Sequence, residues 1–309
     1  MKHGEKIGVF YAAFSYIIWG VLPVYWKWLS SVSAEEILAN RIFWSFIFML
    51  VLLAVTKKWK VFLQTLKGLK VNKKVFLSLI LASLLITANW FIYIWAVNEN
   101  HIVETSLGYY INPLISILLG VFILKEKLNK AQIISFCIAA LGVLILTISY
   151  GDFPWISFSL AITFGLYGLV KKMIKVDSAI GLTLETMTVA PLALIYMIYL
   201  LFTSNFSFLN GSLKIDLLLI GAGAATAIPL LLFAKGAQRI PLYLLGFLQY
   251  IAPTIMLILG VLVYHEHFST AHMIAFICIW TAAIVLSIGN SKWFISLTNR
   301  IKKDKSFSA

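Results

Sequence analysis

The sequence predicts an all-α integral membrane protein, ten transmembrane helices arranged as two inverted five-helix repeats. Three observations predict it. Hydrophobic residues make up 61% of the 309 positions and charged residues 12%, with a mean hydropathy of +0.94, whereas soluble domains carry charge on about a quarter of their residues. Apolar runs of about 20 residues, the length that crosses a hydrocarbon core roughly 30 Å thick, succeed one another from Ile7 to Asn290 with short polar breaks. Sliding the sequence by 140 residues lays Tyr110, Ile111, Pro113, Ile115, Leu119, Gly120, Val121 and Glu126 on Tyr250, Ile251, Pro253, Ile255, Leu259, Gly260, Val261 and Glu266 without a gap. Duplication of an apolar, proline-broken helix is a mark of transporter folds built from internal repeats.

The elements follow in order. Helix 1, expected at 7–27, comes after Lys2 and Lys6 but lacks a cleavage site and runs on through Pro23, so it is a span and not a signal peptide. Helix 2, at 37–56, carries Arg41 and ends in a lysine-rich loop, 57–74. Helix 3, at 75–97, puts Asn89, Tyr93, Ala96 and Asn100 on one face beside Trp90, Phe91 and Trp95; Trp95, near the end, fits an interfacial anchor. Helix 4, at 103–124, sets Ser106, Tyr109, Pro113, Ser116 and Gly120 in one stripe. Helix 5, at 131–149, offers Ala140 to Gly142 for close packing. Helix 6, at 155–171, echoes helix 1: Phe164-Gly165 and Lys172 match Trp19-Gly20 and Lys27 at an offset of 145. Helix 7, at 181–202, carries Glu185. Helix 8, at 215–234, has the small residues Gly221 and Ala225 and places Pro229 opposite Trp90 at an offset of 139. Helix 9, at 242–264, repeats the stripe of helix 4 as Gly246, Gln249, Pro253, Met256 and Gly260, and helix 10 covers 271–289.

Of the 25 basic residues, all but Lys27, Arg41 and Lys214 fall in alternate loops or the tails, which places both termini in the cytoplasm. The net charge of +13 is thus a topology signal and a basic tail near anionic lipid, not a nucleic-acid surface. Five spans is an odd number, so the second set crosses in the opposite sense. The expected units are 1–149, 150–291 and a basic cytoplasmic tail, 292–309, with a binding cavity between the two halves near mid-bilayer.

Polar groups in hydrocarbon cost several kcal/mol when unpaired, so both stripes face protein or water. Pro113 and Pro253 each free a backbone carbonyl one turn earlier, at Tyr109 and Gln249; with Pro229 they are the expected helix breaks. Ionisable groups inside spans are functional candidates, each costing about 2.5 to 3.5 kcal/mol to insert. Arg41 and Glu185 occupy equivalent places at an offset of 144, near opposite faces. The expected partners are Glu104 or Glu36 for Arg41 and Lys171 for Glu185, as candidate gate charges or as structural pairs. Cys137 and Cys278 lie within apolar runs and read as inert. His101 with Glu104, and His265-Glu266-His267, lack the ligand set of a zinc site. No HExxH, GxSxG, Walker A or GxGxxG pattern occurs in a credible context, so neither an enzyme, a metal nor a cofactor is expected.

The stretches IIWGVLPVYWK, EEILANRIFWSF, NWFIYIWAVN, ETSLGYYINPL, FGLYGLVKK, ETMTVAPLA and LLGFLQYIAPT, in this order, resemble the RarD-type permeases of the EamA group in the drug/metabolite transporter superfamily. The resemblance covers 7–290. It implies ten helices in two inverted repeats, a bacterial inner-membrane location and transport of a small metabolite or drug. It also implies a central pocket drawing here on Trp19, Trp90, Tyr93, Tyr109, Asn112, Phe164, Tyr167, Gln249 and Tyr250. The leading expectation is therefore a secondary transporter, an exporter, driven by a proton, another ion or the substrate gradient, with membrane lipid as its other partner. A non-transporting membrane scaffold or a lipid-linked carrier is the competing class. Reporter fusions to the two ends are expected to report the same, cytoplasmic side; activity on opposite sides would break the odd-number argument.

Overall fold

The computed structural model describes residues 3–69, 71–99, 101–203, 206–210, 212–264 and 269–289. Asn100, His265, Glu266, His267 and the tail 292–309 lie outside them. The helices are α1 (His3–Lys27), α2 (Ala34–Val55), α3 (Trp59–Leu69), α4 (Lys73–Asn98), α5 (Ile102–Phe122), α6 (Lys130–Tyr150), α7 (Trp155–Met173), α8 (Ser178–Phe202), α9 (Leu213–Ala237), α10 (Leu242–Gln249), α11 (Ile251–Leu262) and α12 (Thr270–Gly289). By length and composition they supply ten candidate membrane spans, with α10 and α11 sharing one.

Two features differ from expectation. The basic stretch 57–74 is not merely a loop but contains α3, which buries Phe62 and packs Leu66 and Leu69 on the bundle while Lys60 and Lys67 stay polar-side. Of the three expected helix breaks only Pro253 stands beside an interruption: the helix breaks at Tyr250, whereas α5 runs through Pro113 and α9 through Pro229. A missing N–H costs one ladder bond, and neighbouring helices hold the rest of each turn in place.

Helix starts are fixed by side chains that accept from otherwise orphaned amides. Ser33 accepts from Glu36 N, Asn129 and Gln132 form a reciprocal capping box, and Ser212 accepts from Ile215 N. Asp177 caps α8 through Ala179 N and Ile180 N and pairs with Lys58 at 2.6 Å. Burial pushes the Asp177 carboxyl up, but the Lys58 ammonium and the two amides outweigh it, leaving it below the ordinary carboxylate range. The pairing therefore stabilises the fold above that ordinary range and is lost as pH falls through the depressed value.

The heaviest packing joins the first half of the chain to the second: α6 with α12, α5 with α7 and α10, α2 with α8 and α9, α1 with α9 and α11, α4 with α7. Sequential neighbours such as α4 and α5 touch far less. Exchanging the halves turns α1/α9 into α7/α4, α2/α9 into α8/α4, and α5/α7 into the α10–α11 span against α1, and each of these contacts occurs. One contact breaks the regularity. α10 packs along α5, through Gly246 against the Pro113 carbonyl and Ile117, while α11 barely meets α5.

The core follows the same asymmetry. Toward the end of the bundle that holds Glu126, one large cluster joins α1, α2, α3, α4, α7, α8, α9, α10 and α11, and a small one, Ile117, Phe247 and Leu286, joins α5, α10 and α12. Toward the end that holds Glu36 the buried residues split into separate clusters: Ala39 and Ile42 with Val189 and Ala193, Leu29 and Val32 with Leu219, and Ala96 with Ile156 and Leu160.

Gly223 of α9 lies so close to α2 that an added Cβ would strike the Trp44 backbone, whereas Gly68 of α3 has open space. Gly223→Val is expected to destabilise by about 1 to 3 kcal/mol or more, seen as a lower melting point in detergent. Gly68→Ala is expected to be neutral or slightly stabilising, and equal melting of the two variants would refute the close α2–α9 packing.

Candidate functional site

At the Glu126 end the bundle is sealed. Lys171 and Glu185, 1% and 2% exposed at their side chains, meet at 2.6 Å, as the sequence suggested. The Tyr167 hydroxyl donates to the other oxygen of Glu185 at 3.3 Å, so the buried carboxylate has two donors. Above this pair sits an aromatic plug. Tyr167 stacks on Phe233 with centroids 5.8 Å apart, Phe164 lies 5.4 Å from Phe233, and Trp19 lies 5.7 Å from both Phe164 and Phe233. Tyr16 closes the group against Trp19 and Phe233. A third layer involves Glu126, which accepts from Leu242 N at 2.7 Å and Tyr243 N at 2.9 Å and so caps α10, with Lys172 at 3.9 Å. Outside that layer lies a wide-mouthed hollow of about 460 Å³ touching Glu5, Lys172 and Arg239, on the far side of the seal.

Nearer the other end, Arg41 is surrounded by rings and not by carboxylates. Its Nε donates to Thr226 Oγ1 at 3.0 Å, and its guanidinium carbon lies 4.6 Å from the Trp26 ring and 5.1 Å from the Trp90 ring. The Tyr93 and Tyr109 rings meet at 6.3 Å, and both phenols stand within Coulombic reach of the guanidinium. The expected partners are spent elsewhere. Glu36 accepts from the amides of Ser207 and Phe208, and Glu104 accepts from the Tyr150 hydroxyl and from Ile156 N, with His101 Nδ1 at 3.3 Å. A carboxylate at a helix start or turn is held by backbone amides, which competes with any ion pair.

Between these levels lie Asn112, Gln249 and Tyr250, on α5 and at the α10–α11 break. All three are at least nine-tenths buried, and Asn112 Oδ1, Gln249 Oε1 and Tyr250 Oη have no hydrogen-bond partner among the described residues. Asn89, by contrast, is structural: its amide bridges to the Leu160 carbonyl and Thr163 Oγ1, tying α4 to α7.

The nine residues nominated from the sequence thus divide into three groups: Trp90, Tyr93 and Tyr109 by Arg41; Asn112, Gln249 and Tyr250 with unpaired oxygens; Trp19, Phe164 and Tyr167 in the plug. Sequence reasoning missed Phe233, Trp26, Thr226 and the capping role of Glu126. The offset of 140 that aligned Glu126 with Glu266 was a signal for the last of these.

The chain matches the EamA-like transporter family twice, over residues 6–148 and 154–288. It is 51% identical to an uncharacterised transporter, YojE, of Bacillus subtilis (strain 168), over 95% of this chain and 98% of that protein. It is 41% identical to the protein RarD of Escherichia coli (strain K12), over 90% of this chain and 93% of that one. A solved crystal structure shares the fold with a TM-score of 0.67 at 18% identity, spanning 92% of this chain and 98% of that chain. The ten apolar helices, their cross-braced packing and this double match lead to one assignment: the chain is a multi-pass membrane permease belonging to the EamA-like transporter family, of the RarD type.

Proposed function

We propose that the protein is a secondary transporter that exports small metabolites or drugs across the bacterial inner membrane by alternating access. Its two halves, 1–149 and 150–291, are inverted repeats with both termini in the cytoplasm, and an ion or substrate gradient supplies the energy. The observation that carries this reading is the set of unpaired oxygens on Asn112, Gln249 and Tyr250. In hydrocarbon such atoms demand a partner, and a substrate or water reaching them from one side supplies it. The one large cluster that joins both sides of the bundle at the Glu126 end, against the smaller clusters at the Glu36 end, supports a form closed inside and parted outside. Because the strongest packing joins the halves, the moving bodies are mixed: α1, α9 and the α10–α11 span against α4, α5 and α7.

The chemistry is binding and release, with no bond made or broken. The plug and the Lys171–Glu185 pair act as the inner gate, whose opening separates α7 from α8 and α9.

Two measurements test the proposal. In liposomes under a proton gradient, a panel of labelled metabolites and amphenicols is expected to yield at least one compound moved by the wild type. For that compound Gln249→Met and Asn112→Leu are expected to lose about tenfold or more in rate while melting at or above the wild-type temperature, because removing an unpaired buried oxygen relieves desolvation. Lower melting together with unchanged transport would mark these residues as packing groups of a scaffold.

Lys171→Met alone strands a buried carboxylate and is expected to cost about 3 to 5 kcal/mol. Adding Glu185→Leu is expected to restore melting but not transport. Full transport by the double variant would show that the pair is structural only.

A further inference from the structure

We infer that Arg41 is a binding residue for an anionic group, and that the transported substrate is a small organic carboxylate with a flat apolar body. This rests on the permease reading above and narrows its substrate class.

Arg41 stands seven residues into α2, which is about 10 Å along a helix of 1.5 Å rise and well inside a candidate span. A permanently charged group at that depth is retained at a cost of several kcal/mol unless something answers its charge. Among the described residues, no carboxylate comes within ion-pair distance of it. Glu36, Glu104 and Glu185 are each held by other donors. Of its five N–H groups only the Nε one has an acceptor, Thr226 Oγ1. The four on the terminal nitrogens are left over, and they form the planar fork that matches a carboxylate in bidentate fashion.

The guanidinium is not sealed into packing. It keeps partial exposure, its terminal nitrogens are absent from the fully enclosed unpaired atoms, and the neighbouring Tyr109 is 36% exposed. The Trp26 and Trp90 faces hold the cation in place without neutralising it. The Trp90, Tyr93 and Tyr109 rings, the last two inclined at 63° to each other, then offer apolar ring faces next to the charge. A ligand that fits has one anionic end for Arg41 and an aromatic or comparably flat remainder for the rings. It also carries donors for the oxygens of Asn112, Gln249 and Tyr250 if it reaches them.

Isothermal titration calorimetry on the full-length protein in nanodiscs, with matched neutral and anionic probes, decides this. The probes are benzoate against benzamide and 2-naphthoate against 2-naphthamide. Each carboxylate is expected to bind at least about tenfold more tightly than its amide. Arg41→Gln is expected to abolish that preference, and Arg41→Lys, which keeps the charge but loses the fork, to retain part of it. Equal binding of acid and amide to the wild type, a preference that survives Arg41→Gln, or no binding of any probe to protein with a wild-type melting point would each overturn the assignment. If Arg41→Gln does not fold, the wild-type ratio and Arg41→Lys decide alone. The two readings fail separately. Transport of neutral compounds without carboxylate preference removes the anion site and leaves the permease, whereas carboxylate preference with no transport of any compound removes the permease and leaves the site.

Discussion

The lipid interior offers no hydrogen bonds, and this constraint organises the molecule more than any single contact. Every polar group inside a span is answered by protein, or else by water or a ligand. The carboxylates are answered by protein. Glu36 takes two amides of the segment before α9, Glu104 takes the first turn of α7 and a tyrosine, Glu126 takes the first turn of α10, and Glu185 takes a lysine and a tyrosine. What remains after this accounting includes the terminal nitrogens of Arg41 and the oxygens of Asn112, Gln249 and Tyr250, with the scattered hydroxyls of Tyr16, Thr87 and Ser135 besides; the first four residues lie together. They fall on α2, α5 and the α10–α11 junction, beside rings from α1 and α4. The candidate site is therefore the polar remainder of a bundle that largely satisfies itself elsewhere.

Packing adds a second asymmetry to the chemical one. Protein interiors are dense and resist gradual deformation, so in this conformation the large cluster at the Glu126 end holds the two sides of the bundle together. At the Glu36 end the smaller clusters hold α2 with α8, the end of α1 with α9, and α4 with α7, while α5, α6, α7 and α12 share another. Motion between such groups breaks fewer apolar contacts than motion through the large cluster. The same end carries Arg41 and its rings, so the charge with no carboxylate partner among the described residues sits where the bundle is least tied together.

Much of the fold was legible because hydrophobicity and length alone identify spans. What composition could not show was α3, whose apolar face of Phe62, Leu66 and Leu69 is too short to stand out from a lysine-rich loop. The Lys171–Glu185 pair was legible because both residues belong at one membrane level and no backbone amide competes for them. Arg41 was misassigned for the opposite reason. Glu36 and Glu104 lie at the right depth, but each stands in the first turn of its helix, within reach of unpaired amides of another segment, and sequence spacing does not reveal which donor wins. The aromatic residues were found as a class. Their division between plug and cage depends on Phe233 and Trp26, which carry no polar mark and look like any other apolar side chain in a span.

The proline stripes sharpen the point. Tyr110, Ile111 and Pro113 on one side and Tyr250, Ile251 and Pro253 on the other are the same residues in the same order, yet α5 continues and the second helix breaks. The shared tyrosine, isoleucine and proline cannot by themselves cause that difference, although the residues between and before them, Asn112 against Ala252 and Tyr109 against Gln249, are not the same. The surroundings also differ: α10 is gripped by α5 and capped by Glu126, while α11 leans on α1 and leaves α5. On the alternating-access proposal, a shape imposed by surroundings on one of two related segments passes to the other when those surroundings exchange. The proposal then requires two conformations close enough in free energy for a modest difference in ligand affinity to shift the population between them.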